Sequence, residues 1–348
     1  MDSMMRAALI CSLSLAAALQ APAGIIAAAS ANELARVAPQ LIREGDRVLA
    51  VGLALETQTE MLKRLSCGVV AVDVPRKESN SGRGVFRSND DVRPLTRAGD
   101  VTAALRPNET FDCIVVDAAA LLGFDLPLDT LALCEALRRR QDTPPTILVR
   151  SSSLASLGGR LVAGDELGRV EKVLRLAAAR PQLDETRIYE ARPCLVGARG
   201  VLEYRSCIET VVRPGDRVLE VGCHFGTTTA LLTEAAGSGG YALGVDVGPS
   251  IIASAKQKHP SVSFRVGDAW AVSGLARLGP WDVVFVDVGG LSGADGILDA
   301  LSLARSLGAA LEPRAVVLKS KCLRQLAKGL APSTRLGNVL DHERIEYV

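Results

Sequence analysis

Residues 215–229 read GDRVLEVGCHFGTTT, and a near copy of their first half, GDRVLAVG, stands 170 positions earlier at 45–52. The correspondence extends outward from this pair. The lead-in VLEYRSCIETVVRPGDR from Val201 matches ANELARVAPQLIREGDR from Ala31, and WDVVFVDV from Trp281 matches FDCIVVDA from Phe111. ALGVDV ending at Val247 matches VVAVDV ending at Val74, and VVLKSKCL from Val316 matches ILVRSSSL from Ile147. Matches in the same order over such a period predict two related domains rather than one large one. The matches delimit them at 31–162 and 201–348, with 1–30 as a leader and 163–200 joining the copies or finishing the first.

Within each copy, short runs such as VVFV, ending in Asp or Gly, alternate with amphipathic segments of helical length such as ADGILDALSLARSLGAAL (294–311). Apolar runs bounded by turn residues read as strands buried on both faces, covered by crossover helices. The expected fold is α/β, with two tandem Rossmann-like, doubly wound, mostly parallel sheets. The closing segment GNVLDHERIEYV is short for a terminal hairpin, so the last strands are expected to be incomplete or borrowed from the linker.

Composition narrows the function. The 40 Lys+Arg balance 39 Asp+Glu, which excludes a polycationic coat for nucleic acid, and aromatics at 3% exclude a broad base-stacking surface. No DNA partner is expected. The 8 cysteines include no CxxC pair and the chain has only 3 histidines, so no metal site is expected and the thiols read as reduced core residues. At the N-terminus, Arg6 precedes an apolar run from Ala7 to Leu19 and then Ala21-Pro22-Ala23, the layout of a signal or organelle-targeting segment. Thirteen apolar residues are too few to span a bilayer, so no transmembrane anchor is expected. An Ala/Leu-rich first helix packed on the body is the other reading of the same run.

In doubly wound sheets, ligands bind beyond the carboxyl ends of the strands, where the strand order reverses. At the first such end of the second copy, Gly222 and Gly226 flank a turn into a helix opening with Thr227, which offers close backbone approach and unpaired N–H groups. The next strand ends at Asp246, about 20 residues on, where a carboxylate suits the two hydroxyls of a ribose. FRVGDAW then places Asp268 and the Ala269 backbone at an adenine edge beside Trp270, and WDVVFVDVGG ends in Asp287. The turn GCHFGT lacks the GxGxxG of dinucleotide-binding sheets and is followed by no GK[ST], which disfavours hydride transfer and triphosphate hydrolysis.

This order of motifs, over Arg213 to about Leu330, resembles the class I S-adenosylmethionine-dependent methyltransferases. The resemblance implies S-adenosylmethionine as cofactor. It implies that Glu220, Gly222, Cys223, His224, Phe225 and Gly226 line the methionine and ribose side, that Asp246 holds the ribose, and that Asp268 and Ala269 hold the adenine. The chain departs from the family's ExGxGxG in having His224 at a glycine position. Asp287 and Lys319, after the fourth and fifth strands, resemble half of the Lys-Asp-Lys-Glu set of 2′-O-ribose RNA methyltransferases, with Glu343 or Glu346 as loose counterparts of the glutamate.

Asp287, Lys319 and His224 are therefore the candidates for assisting deprotonation of an acceptor. The acceptor class is open among RNA, a small molecule and a protein, with an RNA hydroxyl first. From Arg314 to Arg335 the chain carries six basic residues and no acidic one, which reads either as a phosphate-contacting edge or as a solvated basic helix face. In the first copy the turn VGLALETQTE keeps Gly52 but puts Glu56 where Gly226 stands, so that copy is expected to keep the fold without the cofactor. The alternatives are a silent methyltransferase-like scaffold that binds RNA or protein and, last, a nicotinamide-dependent oxidoreductase.

Overall fold

The computed structural model describes residues 24–52, 68–73, 91–94, 101–117, 127–178, 193–292 and 296–332. The chain divides into two compact units, residues 1–158 with 329–348, and residues 159–328.

The first unit holds β1 (Ile25–Ala28), α1 (Ala31–Leu41), β2 (Arg47–Val51), β3 (Gly68–Asp73), β4 (Asp91–Pro94), β5 (Cys113–Val116), α2 (Pro127–Arg138), β6 (Thr146–Arg150) and α3 (Ser152–Arg160). The last strand of the chain, β14 (Leu330–Pro332), completes its sheet. The order is β14-β1-β6-β5-β2-β3-β4, with every neighbour parallel. One face packs Val48, Cys113, Val115 and Leu148 against Leu34, Val37 and Ala38 of α1.

The second unit contains β7 (Leu161–Ala163), α4 (Leu167–Ala178), β8 (Cys194–Ala198), α5 (Val201–Ser206), α6 (Ile208–Val211), β9 (Arg217–Val221), α7 (Thr227–Ala236), β10 (Tyr241–Asp246), α8 (Pro249–Lys258) and β11 (Ser263–Val266). It continues with α9 (Val272–Ala276), β12 (Val283–Val286), α10 (Gly296–Leu311), β13 (Ala315–Lys319) and α11 (Lys321–Gly329). Its order, β7-β8-β13-β12-β9-β10-β11, is that of the first unit element for element, and again every pairing is parallel.

The shared order rests on shared contacts. The Arg47 N–H donates to Asp112 Oδ2 at 2.8 Å, and the Arg217 N–H donates to Asp282 Oδ2 at 2.7 Å, tying the start of the first long strand to that of the fourth in each unit. Each guanidinium lies over the next aromatic, Arg47 over Phe111 and Arg217 over Trp281. Buried Ser151 and Ser320 cap the helices after β6 and β13, each hydroxyl accepting an N–H three residues on at 3.1 Å.

Three expectations change. Residues 24–30, grouped with the leader by the repeat, include β1, flanked by β14 and β6, and Ser30, which caps α1; the targeting segment proper, 1–23, lies outside the described residues. The stretch 163–200, read as joining the copies or finishing the first, supplies α4 and β8 of the second unit, and β8 lies beside β13, so a strand of the second sheet does come from this stretch. The first copy does not end at 162 as a separate body, because β7 joins the sheet of the second unit while β14 joins that of the first.

Among the described residues no helix is long and apolar enough to cross a membrane, and no cluster of His, Cys, Asp and Glu could hold a metal ion. Cys113, Cys134, Cys194, Cys207 and Cys223 are buried thiols, and burial pushes those of Cys134 and Cys194 up to about 12. Cys11, Cys67, Glu56, Arg335, Glu343 and Glu346 lie outside the described residues.

Candidate functional site

In the second unit the strand order reverses between β9 and β12, and a cavity of about 390 Å³ opens at their carboxyl ends. Glu220, Gly222, Cys223, His224, Phe225, Asp246, Asp287 and Lys319 all line it, together with Val201, Arg205, Thr227 and Thr228. Gly226, Asp268 and Ala269 are not in its wall. Gly226 acts from beneath the turn, as the N-cap of α7.

The turn after β9 is held by its backbone. The Gly222 and Cys223 N–H groups both donate to the Val245 carbonyl, at 2.7 and 3.0 Å. Gly222 has φ +83°, and a Cβ there would lie 2.1 Å from the Asp287 carbonyl oxygen; at Gly226, φ +80°, it would lie 2.3 Å from the Phe264 ring. Only glycine fits either place. His224 adopts φ 48°, so the residue that departs from the glycine pattern takes glycine's left-handed conformation. Its ring stacks on that of Phe225 with centroids 3.9 Å apart, and Cys223 faces inward against Ile252, Ala255 and Phe264.

Asp246 is aimed by two backbone donors, His224 N–H to Oδ2 at 3.1 Å and Gly248 N–H to Oδ1 at 3.0 Å. Both oxygens keep acceptor capacity toward the cavity, which suits a vicinal diol. Asp268 is exposed and accepts the Trp270 N–H at 3.0 Å, shaping the loop that presents the buried Ala269.

Glu220 is 2% exposed and accepts the Thr229 hydroxyl at 2.5 Å. Burial pushes its carboxyl up to about 8, opposed by the Thr229 hydrogen bond and reinforced by the nearby Asp287 charge. Lys319 Nζ straddles the Asp287 carboxylate, 2.5 Å from Oδ1 and 2.6 Å from Oδ2. In the first unit Arg150 meets Asp117 at 2.6 Å in the same place, but there the aspartate side chain is fully buried, whereas that of Asp287 is 25% exposed. The pair is common to both units and opens toward solvent only in the second.

The basic stretch is largely spent on internal ion pairs. Arg314 pairs with Asp216, Arg324 with both Glu203 and Asp165, and Lys328 with Asp165. Sequence reading found neither these partners, which lie about 100 residues or more away, nor Arg205, which enters the cavity from α5.

Residues 198–301 match the family model for protein-L-isoaspartate(D-aspartate) O-methyltransferase. The match begins at the end of β8 and runs through the turn, Asp246 and Asp287. The match covers 104 residues of the second unit and marks a likeness to that methyltransferase family. Among solved structures, this chain is similar to a protein-L-isoaspartate O-methyltransferase (26% identity, 28% of this chain and 33% of that one, TM-score 0.23). It is also similar to a TehB-like SAM-dependent methyltransferase from Corynebacterium glutamicum (23%, 41% and 71%, TM-score 0.25). A third is the Aeropyrum pernix fibrillarin with natively bound S-adenosyl-L-methionine (23%, 27% and 42%, TM-score 0.23). The chain spans about a third of the length of the first of these. No curated protein matches it significantly in sequence. The methyltransferase-like unit is thus the part of the molecule in which the glycine turn, the strand-end carboxylates and the family match coincide.

Proposed function

We propose that the second unit is a methyltransferase that takes its methyl group from S-adenosylmethionine. The observation that carries this reading is the turn at 222–226, where two positions admit only glycine and the backbone aims Asp246 into the same cavity. Asp246 would hold the ribose hydroxyls, with the adenine toward Ala269 and the amino-acid end beside Gly222 and Thr228. When bound, the cofactor supplies an electrophilic methyl on a positively charged sulfur; the protein's task is then mainly to position the acceptor.

The acceptor we infer is an oxygen nucleophile, and an RNA hydroxyl is the first class to screen. Asp287 can take a hydrogen bond from the incoming hydroxyl, and Lys319 fixes that carboxylate and supplies positive charge as the oxygen loses its proton. His224, at the exposed rim, is the other side chain that could act as a base there. The internal pairing of Arg314, Arg324 and Lys328 leaves Lys321 as the described exposed cation of the basic stretch without such a partner, so RNA would be recognised at the cavity mouth rather than along that edge.

Calorimetric titration of the full chain with S-adenosylhomocysteine, alongside Asp246→Ala, tests the reading. One-site binding that weakens at least about tenfold in the variant is expected, the loss of about 1.4 kcal/mol. Absence of binding by folded protein would leave a methyltransferase-like scaffold. Transfer of labelled methyl groups to total RNA, compared with protein and small-molecule fractions, then assigns the acceptor.

A further inference from the structure

A separate groove of about 670 Å³ opens along β11, the outermost strand of the second unit's sheet, which has a neighbour only on the β10 side. Tyr241, Leu243, Lys256, Ser263, Arg265 and Leu278 are among its walls, and no residue lining it is acidic. Lys256 and Arg265 are exposed, and among the described residues neither has a carboxylate within ion-pair distance. Between Asp246 and Asp282 the chain carries Lys256, Lys258, Arg265 and Arg277 against Asp268 alone. This positive charge, unlike that of the 314–328 stretch, is not spent internally.

The first unit shows what the groove has lost. Arg93 of β4 stands opposite Val72, one residue before Asp73, and Arg265 of β11 stands opposite Val245, one residue before Asp246, so the two arginines correspond. Arg47 and Arg217, at the starts of β2 and β9, correspond likewise. In the first unit the buried Glu109 carboxylate pairs with both, with Arg93 at 2.7 Å and with Arg47 at 2.5 Å. LRPNETFD from Leu105 aligns with LARLGPWD from Leu275, which puts Gly279 where Glu109 stands. Both arginines persist in the second unit, and their shared carboxylate is gone.

A ring is added at the same place. Arg47 faces Gly68 across its strand pair, whereas Arg217 faces Tyr241. The Arg217 guanidinium lies 5.2 Å from the Tyr241 ring and 5.7 Å from that of Trp281, and the two rings stack with centroids 6.1 Å apart. Tyr241 is thereby fixed from behind while it lines the groove.

Uncompensated cations beside a fixed aromatic ring suit single-stranded nucleic acid, whose phosphates meet the cations and whose bases stack on the ring. We propose that this groove holds a single-stranded stretch of the acceptor RNA, with phosphates against Lys256 and Arg265 and a base against Tyr241. β11 runs from the groove toward the loop carrying Asp268 and Ala269, so RNA lying along it is led to the carboxyl end of the sheet, where the cofactor cavity opens. The assignment deepens the reading of RNA as acceptor and rests on it.

Fluorescence anisotropy of the full chain with a labelled single-stranded RNA of about 16 nucleotides tests it. In a variant carrying Lys256→Ala and Arg265→Ala, affinity should fall about tenfold or more at low salt. The slope of log affinity against log salt should flatten by about 1.4, the value for two phosphate contacts on a single strand. Tyr241→Leu should weaken binding about 5- to 100-fold and leave the salt slope as it was. Neither variant alters a residue of the cofactor cavity, so unchanged affinity for S-adenosylhomocysteine shows that both are folded. Unchanged RNA affinity in either variant, or tighter binding of the matched duplex than of the single strand, overturns the assignment and leaves the methyltransferase reading standing. Failure of the unaltered protein to bind RNA while it binds S-adenosylhomocysteine overturns the groove together with RNA as acceptor. RNA binding that is lost in the variants, by a protein that does not bind S-adenosylhomocysteine, keeps the groove and overturns the cofactor reading.

Discussion

The backbone N–H of His224 donates to Oδ2 of Asp246 across 3.1 Å while His224 itself stands at φ 48°. The contact comes from the main chain, so it survives any side chain that tolerates the left-handed region. That region costs a non-glycine residue about 1–2 kcal/mol, and glycine gives back about 0.5–1 kcal/mol in unfolded-chain entropy. His224→Gly is expected to keep affinity for S-adenosylhomocysteine and raise stability by about 0.5 kcal/mol, and His224→Val to lower both. Thermal unfolding with parallel titration checks this; loss of binding in the glycine variant would show that the imidazole is needed.

Gly222→Ala should disable the site. Its Cβ would meet the Asp287 carbonyl at 2.1 Å, and that oxygen belongs to the backbone leaving β12, so it cannot swing aside. Overpacking of this kind costs about 1–3 kcal/mol, and here it displaces the turn that faces the ligand. Ligand titration of a variant shown to be folded by circular dichroism gives the answer, and undiminished affinity would contradict the geometry.

The Glu220 carboxyl makes stability depend on pH. Burial raises its folded value to about 8 from 4.5. A raised carboxyl favours folding while both states are protonated, so its contribution is complete below 4.5 and is lost as pH rises through about 8. Glu220→Gln, which still offers an oxygen to the Thr229 hydroxyl, should flatten this slope and gain relative stability at pH 8–9. Denaturant titrations at pH 5, 7 and 9 measure it, and parallel curves for the two proteins would exclude Glu220 as the source.

The pairs Asp117–Arg150 and Asp287–Lys319 should respond differently to losing their cation. Arg150→Met removes the ion-pair partner of a fully buried carboxylate, which costs about 3–5 kcal/mol. Lys319→Met leaves a 25% exposed one that water reaches, with a cost nearer 0–1 kcal/mol. The first variant is expected to unfold earlier on heating, and the second to stay folded while losing methyl transfer. Equal stability losses would show that the second pair is as buried in solution as the first.

The strand-end carboxylates and the glycine turn could be found in the sequence because both follow from local patterning. Asp246 and Asp287 close apolar runs, and Gly222 and Gly226 stand between a strand and a helix signal. β7 and β14 escaped notice because three residues have no periodicity, and their partners are set by which sheet the chain reaches next. The charge of the 314–328 stretch was plain, but its neutralisation by Asp165, Glu203 and Asp216 is a tertiary fact. Arg205 gave no local signal, because the lead-in that carries it differs from its counterpart at most positions and its contact with Thr228 is made by the fold.

The placement of β14 bears on the order in which the molecule is made. Residues 159–328 are contiguous, so the second unit has all its strands as soon as that stretch leaves the ribosome. β1 is synthesised before the whole of the second unit and gains its outer neighbour only when Leu330–Pro332 emerge, so its outward N–H and C=O groups stay open while that unit is made. The unit that starts first finishes last, and a chain terminated before Leu330 carries an unfinished sheet edge that favours association between chains.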